Sequence, residues 1–124
     1  MSAINGLSAA YGLARVGFGL FVTSAPERMG RTWVGAEADG PGAGVILRAL
    51  GFRDIALGIG LAEASFRRDP RSWLAVTMLS DLGDVAATLI GRHEIDSRGV
   101  AITTALAGSG ALAAGLLLLA SESE

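Results

Sequence analysis

Residues 100–120 form a run of 21 without a single charge, and residues 4–24 form another of 21 interrupted only by Arg15. As helices, runs of that length rise about 30 Å, the thickness of a bilayer's hydrocarbon core. Leu, Val, Ala, Phe and Ile go all the way round both, whereas a helix of a soluble bundle keeps a charged outer face. Two further segments, 42–64 and 72–91, are as long but carry charges. Helix-breaking residues separate the four: Pro26, then Gly40-Pro41-Gly42, Asp69-Pro70, and residues 96–99. This pattern predicts an all-α, four-helix transmembrane bundle, one integral membrane domain over 1–124 with spans at about 4–24, 42–64, 72–91 and 99–120.

Composition agrees. Only 18% of residues are charged, where a soluble domain has about 25%. The remaining charges gather in three connectors, around 25–41, 65–71 and 92–98. Trp33 and Trp73 lie where interfacial anchors belong, and the 25–41 connector reads as a short helix on the membrane surface. The run 4–24 lacks a basic leader and contains Arg15, so it does not read as a cleaved signal peptide. With no cysteine and one histidine, His93, no transition-metal site is expected, and no cofactor. A net charge of −2 without a basic tail argues against nucleic acid.

Four spans place both termini beside the middle connector with Arg67, Arg68 and Arg71, opposite Arg28, Arg31, Arg92 and Arg98. Three arginines against four leave the orientation undetermined. The denser middle cluster favours cytoplasmic termini, in the plasma (inner) membrane; the acidic tail 121–124 adds little.

Six charges fall inside the predicted spans and away from the connectors: Arg15 in the first, Arg48, Arg53 and Asp54 in the second, Asp81 and Asp84 in the third. Each costs about 2.5–3.5 kcal/mol facing lipid alone, so they must neutralise one another. Thr77, Asp81, Asp84 and Thr88 recur at helical spacing on one face, as do Ser8, Tyr11 and Arg15. Gly51 and Gly58 flank Asp54 on its face and allow a neighbouring backbone to approach. Thr104, Gly108, Ala111 and Gly115 form a small-residue seam on the last span. Turning these stripes inward gives a polar network of Arg15, Arg48, Arg53, Asp54, Asp81 and Asp84 supported by Tyr11, Thr77 and Thr88, with Arg48 nearest the interface. The network has two readings: an ion cluster that fixes helix register, or the wall of a polar cavity.

Other motifs carry less. Gly58-Ile59-Gly60 and Gly108-Ser109-Gly110 follow no strand and read as packing glycines, not dinucleotide loops. The Asp81-x-x-Asp84 spacing occurs in the metal motif of membrane CDP-alcohol phosphotransferases. That motif needs a glycine after its second aspartate and a further aspartate pair, and Val85 and the charge-free last segment supply neither.

The run from Arg48 to Gly58, with Gly51-Phe52-Arg53-Asp54 at its centre, resembles the signature of the DUF4267 small membrane proteins. The Asp81–Asp84 segment and Thr103-Thr104-Ala105 fit the family's layout, with Leu82 in place of its usual proline and Arg98-Gly99 in place of His-Gly. The resemblance implies a four-span helical fold with Arg53, Asp54 and Asp84 at the motif positions, and no assigned activity.

The leading functional expectation is a binding or assembly protein: an accessory subunit or homo-oligomer in the bilayer, packing against itself or other membrane subunits. The alternative is a membrane-embedded enzyme on a lipophilic small molecule. There Asp54, Asp81 or Asp84 would be the general acid, with Arg15 or Arg53 steadying an anion. A small transporter is the third. A closed, dry ion cluster excludes the last two; a ligand-sized cavity beside it opens them.

Overall fold

The computed structural model describes residues 1–123, so Glu124 of the acidic tail lies outside it. The described chain is all helical: α1 (Ala3–Ser24), α2 (Pro26–Val34), a 3₁₀ turn (Gly35–Asp39), α3 (Ala43–Phe66), α4 (Arg71–Ile90) and α5 (Ser97–Ser121).

Local chemistry sets the boundaries. The Ser2 hydroxyl accepts from the Asn5 amide at 3.2 Å and caps α1. Pro26 then opens α2, where its missing N–H costs nothing. Glu27 in the first turn and Arg31 in the last both complement the α2 dipole. Gly35 ends that helix at φ 72°, a left-handed conformation that favours glycine. Asp96 caps α5 by accepting from the Arg98 amide at 3.3 Å.

The long helices associate as two close pairs, α1 with α3 and α4 with α5, and α2 lies across one end against α1, α3 and α5. The α1–α3 pair is antiparallel and held by glycine. A Cβ added to Gly12 would lie 2.7 Å from the Gly58 carbonyl oxygen, and one added to Gly19 would lie 2.6 Å from that of Gly51. Both distances are below contact, so these positions admit no side chain. The approach expected at Gly51 and Gly58 is therefore made by α1, and it brings Arg15 against Asp54. At the end away from α2, Leu61, Leu74 and Ala114 form a closed apolar plug with Met78 and Leu117 around it.

The small-residue face of α5 differs from expectation. Ala111 is buried and Gly115 lies against Met78, but a side chain added at Gly108 would meet open space. Gly110 instead makes a close approach, to the Asp81 carboxylate and the Tyr11 hydroxyl, and Gly99 another, to the Trp33 carbonyl. The register follows the ion cluster, which draws α5 round by the Tyr11 contact.

Three helices, α1, α4 and α5, are long and apolar enough to cross a membrane. α3 has the length, at 24 residues, but carries Arg48, Arg53, Asp54 and Glu63. The four-helix expectation is thus met in three spans by length and composition, and α2 adds a fifth, short helix. The outside of the bundle is apolar: Leu7, Leu20, Leu79, Ile90, Leu112 and Leu119 are all more than half exposed. So much exposed apolar surface on one small chain fits the exterior of a membrane protein.

Candidate functional site

The helix pairs meet across charges. Arg15 on α1 reaches over to α4, its Nη1 donating to Asp81 Oδ2 at 2.9 Å and its Nη2 to Asp81 Oδ1 at 2.7 Å. Nη2 also donates to Asp54 Oδ1 on α3 at 2.9 Å. Arg53 repeats the geometry about a turn away, donating from Nη1 and Nη2 to the two oxygens of Asp84 at 2.9 and 2.8 Å. Its Nη2 also lies 3.3 Å from Asp54 Oδ1. Two-pronged contacts of this kind need the planar guanidinium and are beyond lysine, which fits a chain whose ten basic residues are all arginine.

Tyr11 completes the cluster. Its hydroxyl lies 3.1 Å from both Asp81 Oδ2 and the Gly110 carbonyl, so its one proton is shared between two acceptors. Thr88 accepts from the Trp33 indole N–H at 3.0 Å and donates to the Asp84 carbonyl at 2.7 Å. Thr77 is fully buried on the same α4 face, and its hydroxyl has no partner.

Arg48 stands apart. It is exposed on α3 and joins no ion pair among the described residues. It precedes Arg53 by five positions, which turns it well away from the inward face. The expected three-against-three balance is therefore two guanidiniums against three carboxylates, one negative charge in excess when all three are ionised. The cluster leaves one carboxylate oxygen over. Asp54 meets both arginines through Oδ1, and no hydrogen bond from the described residues reaches its Oδ2.

The cluster forms one wall of a cavity of about 240 Å³. All five of its charged residues line that cavity, and the other walls are almost wholly apolar. An apolar cavity of about 150 Å³ already holds benzene, so this one takes a molecule of about ten non-hydrogen atoms. Met29 and Trp33 of α2 also line it. The exposed members of the lining are Ala14 and Phe18 of α1 and Leu106 of α5, so the opening runs sideways between two apolar helices.

Sequence reasoning missed this part of the site. Trp33, read as an interfacial anchor, also lines the cavity and bonds Thr88, and Trp73, read likewise, packs its ring on Gly60. Thr103 entered the sequence reading only through the family resemblance and not as a site residue, yet it lines the cavity, is 3% exposed, and has no partner for its hydroxyl. Its signal was a threonine eight residues, two helical turns and a little more, before the buried Ala111. His93 is exposed beside Arg92 and Glu94, and no group of three or more His, Asp or Glu side chains among the described residues is placed to hold a metal ion. Comparison of the chain with protein-family models, curated proteins and solved structures gives no match.

Proposed function

We propose that this chain is a four-span integral membrane protein that takes a lipophilic small molecule from the bilayer into the cavity beside its Arg–Asp cluster. The observation that carries the reading is the cavity itself: charged on one wall, apolar elsewhere, and open between α1 and α5. A cluster that served only to lock the helices would be enclosed by packed side chains. This one borders space of ligand size, and that favours binding over a purely architectural or assembly role.

α3 is the fourth span in this reading. Its charges weigh against it only if they face lipid, and Arg53 and Asp54 face inward as partners. Its outward residues Val45, Ile46, Phe52 and Ile59 are apolar, with Arg48 one turn from the helix start and Glu63 at the end, both positions where side chains reach the interface. The plasma membrane with cytoplasmic termini is proposed as the setting. Kinship with the DUF4267 proteins is likewise proposed, on Arg53, Asp54 and Asp84 alone.

The second reading is a membrane-embedded enzyme with an aspartate acid, favoured by the free Oδ2 of Asp54. Assembly with itself or another subunit is the competing role, and a larger complex in mild detergent would support it. The binding test uses the full chain in lipid nanodiscs, with Trp73→Phe leaving Trp33 as the only fluorophore of its kind. Titration with 2-phenylethanol, of cavity size, should change Trp33 emission saturably. Ala107→Phe, which fills the cavity wall, should abolish the change while leaving the helix content intact. A linear, unsaturable response in both proteins overturns the reading.

A further inference from the structure

We infer that the cavity selects a cationic ligand, a lipophilic amine whose ammonium group sits against Asp54 with its apolar body toward the α1–α5 opening. The inference rests on the binding reading above and names its ligand class. Three observations carry it.

The first is charge. Two arginines face three aspartates, and Arg48, which would have balanced the set, lies outside. A surplus carboxylate in an apolar interior is costly until a cation or proton meets it. The second is an unused acceptor. Asp54 is 5% exposed, lines the cavity, and its Oδ2 accepts nothing. An ammonium group carries three N–H donors and suits such an oxygen. The third is the aromatic lining: Tyr11, Phe18 and Trp33 all border the cavity, and ring faces attract cations most strongly where water is excluded.

An anionic ligand meets the opposite conditions. Both guanidinium forks are occupied by carboxylates, which leaves the Nε–H of Arg15 and, on Arg53, the Nε–H and one Nη1–H without partners. It would also add to the negative excess. A neutral ligand fills the space but leaves the charge unanswered.

The test pairs two molecules of equal size, 2-phenylethylamine, protonated at neutral pH, and 2-phenylethanol, with the full chain in nanodiscs of uncharged lipid. Nanodiscs without protein correct for partitioning. The amine should bind at least tenfold more tightly. Asp54→Asn should remove that preference. Equal affinity of the two in the wild-type protein overturns the cation assignment and leaves the binding reading standing. Saturable binding of neither overturns both. A preference that survives in Asp54→Asn overturns the role given to Asp54. Should that variant not fold, Asp54→Ser, which also removes the carboxylate, replaces it, and a selective loss of amine affinity is then required.

Discussion

Arg15 holds Asp81 by both guanidinium ends, at 2.9 and 2.7 Å, across the gap between two helix pairs. α1 packs on α3 and α4 on α5, but the pairs touch each other sparsely, and the cavity occupies that gap. Ion pairs therefore do between the pairs what glycine contacts do within one. This division has consequences for stability, because a guanidinium pair of this depth is far less tolerant of change than a surface one.

Arg15→Gln should destabilise the protein by about 3–5 kcal/mol, the usual effect of removing one partner from a buried pair. Arg15→Lys should also destabilise, because a point charge cannot serve Asp81 twice and Asp54 as well. Thermal unfolding in detergent, followed by circular dichroism, measures both. A lysine variant as stable as the wild type would mean that the two-pronged geometry contributes nothing.

The three aspartates should not be equivalent. Asp54→Asn keeps a carbonyl oxygen for both arginines and brings the cluster to two charges of each sign, so its loss should stay below about 1.5 kcal/mol. Asp81→Asn strips Arg15 of its main partner, and Asp84→Asn does the same to Arg53. Each of these should cost about 3 kcal/mol or more. The same unfolding experiment ranks them, and equal losses at all three positions would contradict the charge excess.

Glycine substitutions should separate by contact. Gly12→Ala and Gly58→Ala force backbones apart where each Cβ would meet the other helix, and should cost about 1–3 kcal/mol. Gly17, on α1 but facing open space, should accept alanine with a gain of up to about 1 kcal/mol from helix propensity. If Gly12→Ala proved as harmless as Gly17→Ala, the close α1–α3 crossing would be wrong.

Much of this arrangement is written in periodicity. The inward stripes at Ser8, Tyr11 and Arg15 and at Thr77, Asp81, Asp84 and Thr88 follow from spacing alone, because helical neighbours share a face. Spacing along one helix says nothing about which arginine meets which aspartate, so the choice of Asp81 by Arg15 and Asp84 by Arg53 emerges only in three dimensions. Arg48 misled because charge count alone enrolled it, although it sits five residues before Arg53. The cavity was invisible for a similar reason. It lies between elements, and its walls at Trp33 and Thr103 are ordinary residues in their own segments.

The number of spans is decided by two connectors. If α3 crosses the membrane with α1, α4 and α5, the turn before α3 and the turn after it lie on opposite sides. If only the three most apolar helices cross, both turns share a side, since α3 would then run between them without traversing. The chain has no cysteine, so single cysteines report without interference. Ala36→Cys and Arg67→Cys are both at exposed positions, and Arg67 forfeits only a surface pair with Glu63. Ser123→Cys should behave as Arg67→Cys, because Arg71 and Glu122 meet at 3.0 Å at that end of the bundle. His93→Cys should behave as Ala36→Cys. In sealed, right-side-out vesicles, a membrane-impermeant maleimide should label one pair and spare the other until the membrane is permeabilised. Labelling of Ala36→Cys and Arg67→Cys from the same side would remove α3 from the spans.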